Sequence, residues 1–204
     1  MRPARFSELL IATSNRGKTT EIQQALTGLP ITLSFLGTPN NFTEPVESGE
    51  TYAENAIIKA TEYAKQTGLC ALADDSGLEV DYLGGAPGLR SARFGVGSDA
   101  DRVELLLSKL KGVSDSQRTA RFVSVVAIVQ PEEGVVKLAE GICNGRIIHA
   151  PKGNNGFGYD PIFVPEGYDL TFAQLPVEIK NTISHRAKSL AATRAFLIDE
   201  IGLA

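Results

Sequence analysis

The chain of 204 residues is long enough to bury a substantial core within one large domain. With 43% hydrophobic and 22% charged residues, its composition is that of an ordinary globular protein. The formal net charge of −4 excludes a protein that coats nucleic acid, although a local basic pocket can still bind a small anion. The apolar stretch near the N-terminus is too short for a signal peptide or a membrane span. We therefore expect a cytoplasmic protein with no nucleic-acid or membrane partner.

The first quarter of the chain predicts strands that alternate with a helix. Residues 9–13 form an apolar run typical of a buried strand, and residues 19–26 have the spacing of a short helix. A second strand is predicted over residues 31–36. A long loop is predicted over residues 37–49, which are rich in turn-forming residues.

The clearest predicted helix covers residues 52–67. Thr51 and Glu54 form a T-x-x-E capping box at its start, and Gly68 stands where a C-terminal cap belongs. Its apolar residues fall on one side of the helix. On the opposite, polar side we expect Asn55, Lys59 and Glu62.

The remainder of the chain predicts further strands and helices. The short apolar strand of residues 69–73 is expected to end at the sequence DDSG, and a helix is expected over residues 101–111. Residues 122–129 are a β-branched run typical of a strand buried on both faces. The turn PEEG then leads into a second hairpin strand over residues 135–142, and a final helix begins near Ser184.

Nothing in the sequence divides the chain. There is no repeat, low-complexity segment or linker, so residues 1–204 are expected to form a single α/β domain with a mixed sheet. Cys70 and Cys143 have apolar neighbours and no metal-ligand spacing. We expect them to be buried free thiols of a reducing compartment.

Asp74 and Asp75 lie at the end of a predicted buried strand. Two adjacent carboxylates there repel each other unless a cation or a proton compensates them. Mg²⁺, which binds carboxylates together with substrate phosphates, is the usual compensation, and strand ends are where α/β sheets place their ligands. The alternative is that Asp75, Ser76 and Gly77 only form a type I turn.

Residues 13–20, TSNRGKTT, resemble a phosphate-binding P-loop. That motif needs a glycine where this chain has Ala12, so the P-loop is excluded. The motif still predicts a strand, a tight turn and a helix N-terminus that carries Ser14, Asn15 and Lys18. This arrangement is suited to binding phosphate oxygens. An ordinary strand-to-helix turn with an N-cap is the alternative.

Residues 152–161, KGNNGFGYDP, predict a loop that carries two aromatic rings, Phe157 and Tyr159. An aromatic ring on such a loop can stack on a nucleobase, which contributes about 1–3 kcal/mol. Alternatively, the two rings anchor the loop in the core.

Residues 180–188, KNTISHRAK, combine basic groups with a helix start. Ser184 is a natural N-cap, which puts His185 and Arg186 in the first turn, where positive charge opposes the helix dipole. This arrangement favours a nearby anion. The four motifs reinforce one another, because each is compatible with a metal, phosphates or a base, and together they predict a site for a nucleoside triphosphate. No Ser-His-Asp, Cys-His or zinc arrangement competes with this interpretation in a chain with two histidines and two cysteines.

Five motifs closely resemble the inosine triphosphate pyrophosphatase family, whose members are also called dITP/XTP pyrophosphatases. In order they are ATSNRGK, ESGETYAENAIIKA, ADDSGLEVDYLGGAPGLRSARF, GFGYDPIFVPEGY and EIKNTISHRAK. The resemblance implies an enzyme that splits ITP, dITP and XTP into the monophosphate and pyrophosphate, which keeps them out of DNA and RNA. It also implies Mg²⁺, a homodimer, and an elongated mixed sheet flanked by helices, with an active-site cleft between two lobes.

The resemblance also implies a set of site residues. Asp75 matches the catalytic proton acceptor and a metal ligand, Glu47 matches a metal ligand, and Asp74 is expected to support them at the metal. Lys59 and Arg93 lie in matching motifs and are expected to add positive charge. The matching substrate-binding positions are Thr13, Ser14, Asn15, Arg16, Gly17, Lys18, Ser76, Phe157, Gly158, Tyr159, Asp160, Lys180, His185 and Arg186.

The predicted reaction is in-line attack of water on the α-phosphorus. Asp75 is expected to take the proton of this water, or to orient the water if it stays bound to the metal. Lys18 is expected to neutralise charge on the leaving pyrophosphate. Donors among Lys180, His185 and Arg186 are expected to select the base through the oxygen at purine C6, where adenine presents an amino group.

Two alternative functions stay open at this point. One is a pyrophosphatase for modified pyrimidine triphosphates, against which the sequence SHR argues. The other is a nucleotide sensor without turnover, against which the carboxylates Glu47, Asp74 and Asp75 argue. The chain departs from many relatives at Val46, where they carry a second acidic residue.

Overall fold

The computed structural model describes residues 7–37 and 42–202 of the chain. Within them no helix is long and apolar enough to cross a membrane. The strands are β1 (Glu8–Ile11), β2 (Thr32–Phe35), β3 (Cys70–Val80), β4 (Thr119–Gln130), β5 (Gly134–Ile147) and β6 (Phe163–Pro165). The helices are α1 (Arg16–Leu26), α2 (Tyr52–Thr67), α3 (Asp99–Lys109), α4 (Val177–Ile183) and α5 (His185–Glu200).

The strands form a mixed sheet in the order β2-β1-β3-β4-β5-β6. Strand β1 pairs in parallel with both β2 and β3, whereas β5 and β6 are antiparallel. Residues 131–133 alone join β4 to its neighbour β5, too few for a parallel crossover, so these strands form the predicted antiparallel hairpin. The predicted α/β class with a mixed sheet is confirmed.

Helix α2 has the predicted bounds and the predicted caps. The Thr51 hydroxyl accepts from the backbone N–H of Glu54 at 3.1 Å, and the Glu54 carboxylate accepts from the N–H of Thr51 at 3.1 Å. Gly68 ends the helix with φ 70°, a left-handed conformation that glycine adopts readily. The prediction that Asn55 lies on the polar side of the helix is wrong. Asn55 is buried, and its Oδ1 accepts from the backbone N–H of Gly49 at 2.8 Å.

The main correction concerns strand β3. The sequence DDSG was predicted to follow a strand, but residues 74–77 lie in the middle of an eleven-residue strand. The alternative of a type I turn is therefore also wrong. Local preferences of Ser76 and Gly77 for a turn are overridden because the residues on both sides, 71–73 and Leu78, are fully buried in the core.

Two helix starts differ from the prediction for local reasons, and one helix was not predicted. Helix α1 begins at Arg16 because Asn15 is its N-cap, and α3 begins earlier than expected because Ser98 forms a capping box with Asp101. Helix α4 was not predicted, since seven residues are too few to show a helical period. Of the predicted loop, residues 38–41 lie outside the described part, and residues 42–50 contain neither helix nor strand.

The described chain packs into two compact units, each made of separate stretches. The first unit contains the described residues up to 75 together with 124–141 and 186–202, and the second contains 76–123 and 142–185. Each unit has its own hydrophobic core. Cys70 lies in the core of the first unit and Cys143 in that of the second, and both are buried thiols outside any disulfide of the described residues, as predicted. Fully buried members of the first core include Leu9, Ile11, Ile22 and Leu72, and those of the second core include Leu78, Leu106, Phe163 and Phe172.

Candidate active site

Charged side chains from five segments of the first unit meet around Asp74 and Asp75 in the middle of β3. Helix α1, the loop before α2, helix α2 and the start of α5 supply the others. We call this set the charged cluster. Its members are the cations Lys18, Lys59 and Arg186 and the carboxylates Glu21, Glu47, Asp74 and Asp75.

Asp74 is the buried anchor of the charged cluster, with 1% of its surface exposed. Its Oδ2 lies 2.8 Å from Nζ of Lys18 and 3.3 Å from Nη2 of Arg186, and its Oδ1 accepts from the hydroxyl of Ser124 at 2.5 Å. Burial acts to raise the pKa of Asp74, but the charges of Arg186 and Lys18 outweigh it and hold this pKa well below its ordinary value. The carboxylate is therefore ionised and already occupied by three donors.

Asp75 has different surroundings, because successive residues of a strand point to opposite faces. Its Oδ1 accepts from Nζ of Lys59 at 2.7 Å. Its Oδ2 is buried and has no hydrogen-bond partner within residues 7–37 and 42–202. Burial raises the pKa of Asp75 although Lys59 acts to lower it. This carboxylate keeps one oxygen for a proton, a water molecule or a metal ion.

Lys59 bridges the two carboxylates that the resemblance assigns to metal binding. Its Nζ lies 2.9 Å from Glu47 and 2.7 Å from Asp75. Burial acts to lower the pKa of Lys59, but Asp75 and Glu47 outweigh it, so this pKa is raised and the ammonium is charged. A positive charge between two carboxylates marks a place where the protein favours a cation.

The donor set of the charged cluster fits a hard divalent ion. In the part of the chain that the structure describes, no three His, Cys, Asp or Glu side chains converge as a ready-made metal cage. Mg²⁺ does not need such a cage, since it is commonly held by one or two carboxylates together with water and substrate phosphates. Glu47 and the unpartnered oxygen of Asp75 match this requirement.

The start of helix α1 combines a capped N-terminus with a cation. Asn15 accepts from the backbone N–H of Lys18 at 3.1 Å and donates its own N–H to the hydroxyl of Thr13 at 3.2 Å. The N-capped turn that both interpretations of TSNRGKTT share is therefore present, while Ser14 and Arg16 are exposed and Gly17 is half-buried. Burial lowers the pKa of Lys18, and Asp74 partly offsets this effect. A helix N-terminus beside a lysine suits phosphate oxygens.

Arg186, in the first turn of α5, contacts two anions that the protein itself provides. Its guanidinium lies 2.5 Å from Glu21 and 3.3 Å from Asp74, and 2% of the residue is exposed. Burial acts to lower the pKa of Arg186, but these two carboxylates raise it further, so the charge is permanent. The sequence predicted that an anion compensates this helix start, and Asp74 and Glu21 fulfil that condition.

In the second unit, three predicted residues form a compact group. Nζ of Lys180 lies 2.6 Å from Oδ2 of Asp160, which also accepts from the backbone N–H of Phe157 at 2.9 Å. The ammonium of Lys180 lies 4.9 Å from the centre of the Phe157 ring, within the range of a cation–π contact. The half-buried ring of Phe157 is thus held in place by a buried ion pair.

The loop that carries Phe157 is braced by residues that the sequence did not single out. Gly158 donates its N–H to Asp99 at 2.8 Å, and the hydroxyl of Tyr159 donates to the carbonyl of Ser91 at 2.9 Å. Tyr159 is 4% exposed, and burial raises its pKa to about 12, so its ring anchors the loop, as the alternative stated. Asp99 is the first residue of α3, directly after the N-cap Ser98, and no motif of the sequence analysis marked it.

The other predicted residues have varied surroundings. Ser76 follows Asp75 in β3 and is half-buried, whereas Arg93 is exposed. His185 is buried and its ring stacks on Phe122 with 4.6 Å between ring centres. The structure thus brings six predicted residues together in the first unit: Lys18, Glu47, Lys59, Asp74, Asp75 and Arg186. In the second unit it brings together Phe157, Asp160 and Lys180, while Arg16 and Arg93 lie exposed outside both groups.

Comparison with known proteins shows which family this chain resembles. Residues 9–196 match the Ham1 family. A protein of Nostoc sp. named dITP/XTP pyrophosphatase is 48% identical over 184 residues, which cover 90% of this chain and 91% of that relative. A protein of Deinococcus deserti with the same name is 48% identical over 189 residues, covering 92% and 88%.

Solved structures with a similar fold are also Ham1 proteins. A HAM1 protein from Coxiella burnetii matches with a TM-score of 0.84 and 39% identity, covering 94% of this chain and 98% of that one. The Ham1 protein of Staphylococcus aureus matches with a TM-score of 0.83 and 37% identity, covering 95% and 99%. The family resemblance seen in the five motifs is confirmed, and the chain belongs to the Ham1 family.

Proposed function

We propose that this chain hydrolyses the non-standard purine nucleoside triphosphates ITP, dITP and XTP to the monophosphate and pyrophosphate. This reaction removes them from the nucleotide pool before they enter DNA and RNA. The observation that carries the proposal is Asp75, a buried carboxylate with raised pKa and an unpartnered Oδ2 among the described residues, beside the cations of the charged cluster. The name of the Nostoc sp. and Deinococcus deserti relatives supports the same activity.

We assign the metal site to Glu47 and Asp75, with Mg²⁺ as the ion. When bound, Mg²⁺ would supply positive charge to the phosphate oxygens. Asp74 was also expected at the metal. We now assign it to holding Lys18 and Arg186, because both of its oxygens already accept from buried side chains.

The positions of Asp75 and Lys18 suggest how the reaction proceeds. Asp75 accepts a proton from a water molecule whose oxygen attacks the α-phosphorus in line with the bond to the oxygen that bridges to the β-phosphorus. That bond breaks, the water oxygen stays on the monophosphate, and pyrophosphate leaves with the bridging oxygen. Lys18, at the N-terminus of α1, neutralises the charge that develops on the leaving group.

We propose that Phe157 and the residues that hold it contact the base. The ring of Phe157 is placed to stack on a purine, since Lys180 and Asp160 hold it in a defined position. Hydrogen-bond donors select hypoxanthine and xanthine through the oxygen at C6, where adenine would present a second donor. The further substrate contacts that we propose are Thr13, Ser14, Asn15, Arg16, Gly17, Ser76, Gly158, the backbone of Tyr159, His185 and Arg186.

We also propose that the protein is a cytoplasmic homodimer. The dimer rests on the family resemblance, and the two free buried thiols suit a reducing compartment. Sedimentation velocity is expected to give a species of twice the chain mass of 21.8 kDa. A single species at the chain mass would contradict the dimer.

A substrate panel tests the proposed function. Purified protein with Mg²⁺ is offered ITP, dITP, XTP, GTP, ATP and modified pyrimidine triphosphates, and the release of pyrophosphate and of phosphate is measured separately. The proposal predicts rapid pyrophosphate release from ITP, dITP and XTP. No turnover of any purine triphosphate would contradict it, and release of single phosphate would overturn the assigned bond.

A further inference from the structure

Four buried residues of the first unit form a closed ring of hydrogen bonds. Oδ1 of Asp74 accepts from the hydroxyl of Ser124 at 2.5 Å, and this hydroxyl lies 2.9 Å from that of Ser189. The Ser189 hydroxyl also donates to the main-chain carbonyl of Arg186 at 3.1 Å, and the guanidinium of Arg186 returns to Oδ2 of Asp74 at 3.3 Å. We call this the hydroxyl ring, and none of its residues is more than 2% exposed.

The hydrogens of the hydroxyl ring have a forced direction. Two cations contact Oδ2 of Asp74, so this carboxylate accepts from both, and the single hydroxyl hydrogen of Ser124 points to its other oxygen. Between the two serines, Ser189 is therefore the donor, and its hydrogen is shared with the carbonyl of Arg186. Hydrogen bonds to a charged group are among the strong ones, so Ser124 fixes the orientation of the Asp74 carboxylate.

This orientation matters because one oxygen of Asp74 holds two cations. Oδ2 lies 2.8 Å from Nζ of Lys18 and 3.3 Å from Nη2 of Arg186. If the carboxylate rotated about its last bond, at least one of these contacts would lengthen. The bond from Ser124 to the other oxygen opposes such a rotation.

We propose that Ser124 and Ser189 are positioning residues of the triphosphate site. The two serines fix the orientation of the Asp74 carboxylate, and this carboxylate in turn holds Lys18 and Arg186 where they bind phosphate. The role rests on the proposed function, and neither serine lies in a motif that predicted the site. Ser124 stands in the apolar run FVSVVAIV, and a polar side chain buried there requires a hydrogen-bond partner.

The test compares Ser124→Ala, Ser189→Ala and the double variant. For each variant we would measure KM and kcat for ITP with Mg²⁺. Calorimetry would independently measure the affinity for inorganic pyrophosphate in metal-free buffer. For Ser124→Ala we expect KM to rise and pyrophosphate affinity to fall by about tenfold, the lower end for a lost hydrogen bond to a charged group. Ser189→Ala is expected to change both less, and the double variant to resemble Ser124→Ala, because Ser189 acts through Ser124.

Thr193→Val is the matched control. Thr193 is also fully buried on α5. Its hydroxyl donates to the main-chain carbonyl of Ser189 at 2.8 Å and takes no part in the side-chain hydrogen bonds of the hydroxyl ring. We expect this variant to lower Tm while leaving KM and pyrophosphate affinity unchanged. Ser124→Cys, which keeps a weak donor at a similar volume, is expected to restore part of the loss and replaces Ser124→Ala if that variant does not fold.

The outcomes separate this proposal from the proposed function. If Ser124→Ala and Ser124→Cys lower only Tm, as Thr193→Val does, the positioning role is contradicted. If the wild type does not hydrolyse ITP, the proposed function fails. The affinity for pyrophosphate still shows whether the two serines organise an anion site.

Discussion

At the scale of single residues, the surroundings of Asp74 and Asp75 divide their roles. Burial disfavours both charges, but the pKa of Asp74 is held well below its ordinary value by Arg186 and Lys18, whereas the pKa of Asp75 is raised. A carboxylate with a raised pKa is the stronger base. A carboxylate that stays ionised between two cations is the better anchor for them.

Replacing the proposed base tests this division directly. Asp75→Asn is expected to lower kcat for ITP by about 10²–10⁴-fold, the usual contribution of a general base, while Tm stays close to that of the wild type. Single-turnover pyrophosphate release measures the effect. Asp169→Asn, at a fully exposed aspartate, serves as the control. A near-normal rate for Asp75→Asn would remove it from the base role.

The anchor makes a prediction about pH and stability. Asp74→Asn removes the counter-charge of the half-buried Lys18 and one of the two counter-charges of the buried Arg186. We therefore expect it to destabilise the metal-free protein by about 3 kcal/mol near neutral pH. Because the pKa of Asp74 is lowered on folding, the wild type loses this contribution as pH falls below the unfolded value of about 3.9. Asp74→Asn has no such dependence, so the gap between the two proteins narrows in acid.

Urea unfolding with a chelator, at neutral pH and near pH 3, measures this gap. The same free energy of unfolding for both proteins at neutral pH would contradict the anchor role. A gap that widens in acid would contradict the lowered pKa of Asp74.

At the scale of elements, the loop before α2 positions Glu47. Gly49 in this loop donates to Asn55 at 2.8 Å, and a Cβ at this position would lie 2.7 Å from the Cβ of Glu54. The loop therefore packs against α2 so closely that no side chain fits at residue 49. Asn55, which the helical period put on the polar side, is the residue that makes this contact.

Gly49→Ala tests whether this packing sets the metal site. The added methyl group must push the loop away from Asn55 and Glu54, so we expect about a tenfold higher Mg²⁺ concentration for half-maximal activity. Val46→Ala, at an exposed position in the same loop, should leave the Mg²⁺ dependence unchanged. An unaltered Mg²⁺ dependence in Gly49→Ala would show that the loop does not position Glu47 for the metal.

Elements whose signals are local were predictable from the sequence. Helix α2 was predicted with its bounds because its period and both caps lie within its own residues. The strand that carries Asp74 and Asp75 was predicted to end too early. Its continuation depends on pairing and burial among distant residues, which outweigh the turn preference of Ser76 and Gly77.

The site was predictable only in part, for the same reason. Motifs marked Lys18, Asp75 and Arg186, because chemically distinctive residues stand close together in the sequence. Ser124 and Ser189 were missed, since they meet Asp74 or each other across 50 and 65 residues of chain. A serine in an apolar run shows that a partner exists, but the sequence does not say which.

At the scale of the whole molecule, we propose that residues 1–204 act as a single domain. The chain passes four times from one compact unit to the other, at residues 75, 123, 141 and 185, so neither unit is a continuous segment. Calorimetry is expected to show one unfolding transition with equal calorimetric and van't Hoff enthalpies. Two resolved transitions would contradict the single domain.

The whole reaction depends on one step, in which water activated by Asp75 attacks the α-phosphorus. Hydrolysis of ITP with Mg²⁺ in water enriched in ¹⁸O tests this step, with both products analysed by mass spectrometry. We expect one ¹⁸O atom in inosine monophosphate and none in pyrophosphate, because the water oxygen stays on the attacked phosphorus. Label in pyrophosphate, or release of labelled single phosphate, would contradict it.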